Sequence, residues 1–191
     1  MFEMTMTFGI LVLTNLIVRF WLYQRQIALV SGHRAQVPDA FATVIQLADH
    51  QKAADYTLAK MRLMQAQLLV ETCWLLILTL GGGINVLYSF TVQLCGSDTG
   101  LITQLVFLVS LGLLSGLIEL PLSLYRQFSL EARFGFNRMT PKLFIMDLLR
   151  NALLSLIIAL PLLSLILWLL DLATPLSWLW AWLSWMAFNA L

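Results

Sequence analysis

An all-α, polytopic membrane helical bundle of about five spanning helices is the fold class this sequence predicts, and three observations predict it. Of 191 residues, 60% are hydrophobic and only 11% charged, whereas roughly a quarter of an ordinary soluble domain is charged. Apolar runs recur at the length of roughly twenty residues that a helix needs to cross hydrocarbon. Most of the charged residues fall in a few links between those runs or near their ends. A net charge of +1 gives no overall attraction to nucleic acid or to an acidic partner, so the lipid bilayer is the first partner and no nucleic acid is expected.

The spans are expected near 4–23, 67–88, 101–120, 144–170 and 175–191. The fifth, ending "WLWAWLSWMAFNAL", is still apolar at the last residue and reads as a helix cut at the C-terminus. The first has Glu3 and no Lys or Arg ahead of it, while Arg19, Arg25 and Arg34 lie at or beyond its far end. That polarity is wrong for a cleavable signal peptide and fits an anchor with its N-terminus outside.

Loop charges agree with one another. Arg25, Arg34, Lys52, Lys60 and Arg62 fall in the loop 24–65; Arg126, Arg133, Arg138 and Lys142 fall in 121–143. With Arg19 and Arg150 at adjoining helix ends, all eleven Lys and Arg lie on one side. The opposite links, 91–100 and 171–174, carry Asp98 and Asp171 and no Lys or Arg. The positive-inside rule therefore predicts that 24–65 and 121–143 are cytoplasmic.

Local signals refine the elements. "LADHQKAADYTLAKMRLMQAQ", residues 47–67, lacks Pro and Gly and predicts a helix running into the second span. Thr140-Pro141 and Thr174-Pro175 each predict a helix start, with Thr as cap and Pro in the first turn. The stretch 131–140 is then the approach to the fourth helix, whose first turns pair Asp147 with Arg150. Pro121 and Pro161 should kink their helices. "GGG" at 81–83 permits close helix packing, a reading favoured over a flexible hinge. Trp168, Trp178, Trp180, Trp182 and Trp185 suit interfacial anchoring.

Few residues carry chemistry. Glu71 and Glu119 sit inside or at the edge of spans, as candidate buried polar groups. Each either reaches the interface or a basic partner among Arg62, Arg126 and Arg150, which is the favoured reading, or lines a chamber. His33 and His50 are seventeen residues apart with Pro38 between them, unlike the spacing of zinc ligands on one helix face. Cys73 and Cys95 read as free thiols. There is no nucleophile elbow and no phosphate-binding glycine loop, so no catalytic residue and no cofactor is assigned within this chain.

Five blocks then occur in order: "VPDAF" (37–41), "HQKAADYTLAK" (50–60), "TLGGG" (79–83), "ELPLSLY" (119–125) and "EARFGFNRMTPKLFIMDLL" (131–149). Together they resemble the N-terminal membrane domain of the type I CAAX prenyl proteases, integral-membrane zinc metallopeptidases, and most closely their bacterial relatives. The resemblance implies a bundle around a water-filled chamber and a zinc held by H-E-x-x-H and a later glutamate in the full-length protein. It also implies a cytoplasmic catalytic domain, a protein or peptide substrate and, for a bacterial relative, the inner membrane. None of the zinc-binding positions is present, so this chain should be inactive alone. What carries over is the scaffold. Arg133, Phe134, Gly135, Phe136, Asn137 and Arg138 become the candidate loop that seats the missing C-terminal catalytic domain or touches substrate at the chamber mouth. Gly135 suits a close backbone approach and Asn137 a turn or cap. The competing reading is a stand-alone membrane scaffold or transporter-like bundle.

Overall fold

The computed structural model describes residues 2–38, 41, 43–96, 100–172 and 174–190. Asp39 and Ala40 of the "VPDAF" block, and Asp98 of the acidic link, lie outside the described residues. The elements, in order, are α1 (Phe2–Gly32), α2 (Leu47–Thr79), α3 (Gly83–Cys95), α4 (Leu101–Tyr125), a π-helical turn (Arg126–Glu131), α5 (Ala132–Phe134), α6 (Pro141–Asp171) and α7 (Ser177–Asn189). Every regular element among the described residues is helical, as a bundle that must satisfy its backbone within hydrocarbon requires.

Four helical stretches are long and apolar enough to cross a membrane: Glu3–Gly32, Leu47–Thr79, Leu101–Phe134 and Pro141–Asp171. The most apolar windows of the first and last contain no residue buried within the protein. Large apolar side chains such as Ile17, Trp21, Leu149 and Ile157 stand exposed along them. In water such surface would aggregate; against acyl chains it is the expected exterior.

Two compact units divide the chain. In the first, comprising 1–83 and 115–138, α1 packs along α2, and the Trp74 indole donates to the Ser115 hydroxyl at 2.9 Å. In the second, comprising 84–114 and 139–191, α6 and α7 pack together. Thr91 and Thr103 are each 1% exposed there, and Tyr88 meets Phe107 edge-on with centroids 5.6 Å apart.

Several boundaries differ from the sequence expectation. The second span is not one helix: α2 stops at Thr79 and α3 starts at Gly83. Gly82 takes φ +75°, and a Cβ on Gly81 would stand 2.6 Å from the Ile77 carbonyl oxygen. These glycines make a tight break rather than a packing face, because no side-chain-bearing residue fits both demands. The second Thr-Pro pair is a turn ahead of its helix, not its cap. Ser177 donates through both its amide and its hydroxyl to the Thr174 carbonyl, so α7 begins at Ser177. At the first pair the Thr140 hydroxyl accepts from the Leu143 amide at 3.3 Å, with Pro141 in the first turn. Both α4 and α6 continue through their prolines, Pro121 and Pro161. Asp147 and Arg150 form no ion pair; among the described residues the ion pair is Arg34 with Asp55.

Candidate functional site

The charged half of α2 carries Asp49, Lys52, Asp55, Lys60 and Arg62 ahead of the apolar run. It runs straight into that run as one helix, because nothing between Leu47 and Thr79 breaks it. This extension brings "HQKAADYTLAK" against "EARFGFN", blocks that lie 75 residues apart at their point of contact.

Tyr56 is the centre of that meeting. Its hydroxyl donates to Glu131 Oε1 at 2.8 Å. Its ring takes Phe134 edge-on at 5.3 Å and Phe136 edge-on at 5.0 Å, the T-shaped arrangement that ring quadrupoles favour. Lys60 Nζ lies 6.0 Å from the same ring centroid, within cation–π range. Phe134 and Leu130 are buried, whereas Phe136 stands 60% exposed.

The backbone around these rings is unusual, and hydrogen bonds explain it. α4 passes into the π-helical turn, and the Glu131 carbonyl then accepts from both the Phe136 amide (2.9 Å) and the Asn137 amide (3.2 Å). To return those amides the chain must reverse at Gly135, which takes φ +81° and ψ +16°. An added Cβ there would meet nothing within 4 Å, so the requirement is conformational and the expected close backbone approach is absent. Asn137 Oδ1 accepts from Gln127 Nε2 at 2.8 Å, tying the segment after the reversal back to the π-turn. Residues 131–134, expected as approach to α6, are therefore helical, because the π-turn and α5 prolong α4.

A second contact secures the adjoining end. Arg34 grips Asp55 through two bonds, Nε to Oδ1 at 2.7 Å and Nη2 to Oδ2 at 2.9 Å. Those bonds hold the Asp55 carboxyl below its ordinary range, helped by the positive charges of Arg34 and Arg133, and raise the Arg34 guanidinium. Donation to the Glu131 carboxylate pushes the Tyr56 hydroxyl above its ordinary value, with burial and the Glu131 charge acting the same way. The two histidines also meet here: His50 Nε2 lies 2.9 Å from the His33 carbonyl oxygen, and His33 Nδ1 lies 2.9 Å from the Leu29 carbonyl oxygen.

Of the six loop residues singled out from sequence, Phe134, Gly135, Phe136 and Asn137 belong to this clasp. Arg133 and Arg138 are exposed beside it, and the Arg133 guanidinium lies 5.7 Å from the Phe134 ring centroid. Neither candidate buried carboxylate is buried within its unit. Glu119 is exposed, because the face of α4 that carries it is left uncovered, and Glu71 is half-buried, accepting from Gln67 Nε2 at 2.8 Å. No ion pair joins either to Arg62, Arg126 or Arg150 among the described residues. Sequence reasoning missed Tyr56, although an aromatic standing alone in a charged helical stretch was the available signal.

Known proteins place this architecture. Residues 26–191 match the family described as the CAAX prenyl protease N-terminal, five membrane helices. A CAAX prenyl protease 1 homolog from Homo sapiens is 31% identical over 185 residues, which cover 92% of this chain and 38% of the relative. One from Dictyostelium discoideum is 44% identical over 69 residues, 36% of this chain and 16% of the relative. The crystal structure of S. mikatae Ste24p superimposes with a TM-score of 0.84 at 24% identity, over 93% of this chain and 42% of that one, a likeness of fold. The chain thus spans well under half the length of these relatives. By a family match that covers most of its length, it belongs to the CAAX prenyl proteases and corresponds to their N-terminal membrane domain.

Proposed function

We propose that this chain is the membrane scaffold of a zinc metalloendopeptidase of the CAAX prenyl protease kind. In this reading its helices form part of an intramembrane chamber, and the Tyr56–Glu131 clasp seats a cytoplasmic catalytic domain. The observation that carries the proposal is the clasp itself. Two blocks of the family resemblance, far apart in sequence, converge on Tyr56, and the convergence leaves Phe136 exposed with Arg133 and Arg138 on either side of it in sequence. An exposed aromatic flanked by arginines is the composition enriched at protein interfaces.

The orientation that goes with this reading has the N-terminus outside and the clasp in the cytoplasm, since every Lys and Arg lies toward that side. A bacterial inner membrane suits the resemblance. In this reading the catalytic zinc is held by residues of the full-length protein outside this chain. The residues here position; they do not perform the hydrolysis. A prenylated peptide is the substrate class that the relatives' name suggests.

Asn137→Ala and Gly135→Val in the full-length protein test the proposal. Both should lower prenyl-peptide cleavage per inserted molecule while insertion is unchanged, because the spans depend on apolar segments elsewhere. Rates equal to the unsubstituted protein in both variants would refute it.

A further inference from the structure

A groove of about 440 Å³ lies between the middle of α1 and the apolar half of α2, within the roughly 300–1,000 Å³ of small-molecule sites. The two helices run antiparallel, since His33 at the end of α1 meets His50 at the start of α2 while Phe8 and Arg19 share the groove with Leu68 and Leu75. Its walls change character along its length. Phe8, Leu11 and Leu75 line the end nearer the N-terminus of α1, and Asn15, Arg19 and Glu71 lie further along. At 1.5 Å per residue Phe8 and Arg19 are about 16 Å apart along α1, close to half of the ~30 Å hydrocarbon core, so the groove is one leaflet deep.

The polar end is also the interfacial end. Arg19 Nη2 donates to the Tyr23 hydroxyl at 3.4 Å, which turns the guanidinium one turn along α1 toward Trp21, Tyr23 and Arg25. The Arg25 guanidinium lies 5.7 Å from the Trp21 ring centroid, and aromatic rings beside basic side chains mark headgroup level. The polar groups of the groove are short of partners. Arg19 and Glu71 share it, yet among the described residues the ion pair is Arg34 with Asp55. Glu71 Oε1 accepts from Gln67 Nε2, the Thr72 hydroxyl is spent on the Leu68 carbonyl at 2.7 Å, and the Asn15 amide makes no hydrogen bond among the described residues. A cation and a carboxylate left unpaired at membrane depth are costly.

We propose that this groove holds one phosphatidylethanolamine, with its phosphate on Arg19, its primary ammonium on Glu71 and an acyl chain along Phe8, Leu11 and Leu75. A guanidinium matches the geometry of a phosphate, and the second Glu71 oxygen is placed to accept from an ammonium. The one headgroup neutralises both side chains. A choline head has no N–H to donate, and a glycerol head brings the phosphate without the cation. That the leaflet is the cytoplasmic one rests on the orientation proposed above, whereas the groove and its chemistry do not.

The test is native mass spectrometry of the delipidated full-length protein in detergent, titrated with synthetic phosphatidylethanolamine, phosphatidylcholine and phosphatidylglycerol of identical acyl chains. One phosphatidylethanolamine should bind about tenfold more tightly than either of the others, the scale of a hydrogen bond to a charged group. Arg19→Gln should weaken that binding by a similar factor, whereas Lys52→Gln, which removes the same charge from an exposed position outside the groove, should leave it unchanged. Glu71→Gln should abolish the preference over phosphatidylglycerol and leave a lipid bound. The headgroup preference of the unsubstituted protein needs no variant and no peptidase activity, so it decides the proposal even where a variant fails to fold. Equal affinity for the three lipids, equal binding by Arg19→Gln and Lys52→Gln, or no bound lipid because the rest of the protein covers the groove would each overturn it.

Discussion

Tyr56 shows what a single residue does here. Its ring supplies two edge contacts and its hydroxyl one bond to a carboxylate, so Tyr56→Phe separates the two contributions. The variant should keep the aromatic packing and lose about 1–2 kcal/mol, the range for a hydrogen bond to a charged group in a partly wet site. Thermal melting of the full-length protein in detergent measures this, and Tyr56→Ala should melt lower still. Gly135 is a different kind of requirement. With φ +81° and open space around it, substitution costs backbone strain alone. Gly135→Asn should therefore be milder than Gly135→Val, which faces roughly 1–2 kcal/mol for the left-handed conformation and more for its branched Cβ. Comparing the melting temperatures of the two variants decides it. The glycine and asparagine of "GFN" were legible as turn residues from sequence. Their partners were not, because Gln127 sits in a π-turn whose register no helical periodicity announces.

At the scale of elements, sequence pattern located the apolar helices and failed at their interruptions. Hydropathy is blind to a break inside an apolar run, so the stop between α2 and α3 was concealed in 67–88 although its cause, Gly81 to Gly83, was in plain view. Gly81→Ala should be the most damaging change in that break, since its Cβ meets a backbone oxygen at 2.6 Å and the helix end must shift. Gly82→Ala should cost about 1 kcal/mol through its positive φ alone. Melting temperatures in the order unsubstituted, Gly82→Ala, Gly81→Ala check this; a reversed order would mean that α2 continues through the glycines. The two Thr-Pro pairs make a related point. Identical dipeptides serve as cap and as turn, because Thr140 is followed at once by helix whereas the Thr174 carbonyl is taken by Ser177.

For the whole molecule, charge distribution and the order of motifs carried the reading further than any single feature. One-sided basic residues predict that Ser31 and Met139 lie inside, so cysteines introduced there should resist impermeant external reagent in intact cells and react after permeabilisation. Strong external labelling would invert the topology. What pattern could not reach was the meeting of α2's charged extension with the end of α4, since contacts between distant segments leave no periodic trace.

The central claim, that this meeting seats the rest of the protein, is tested most directly by a photoreactive phenylalanine analogue placed at position 136 in the full-length protein. The account predicts an intramolecular crosslink from that position to a peptide C-terminal to Leu191, reduced when Gly135→Val disturbs the clasp. Crosslinks to lipid or to unrelated proteins alone, with full peptidase activity retained, would contradict it.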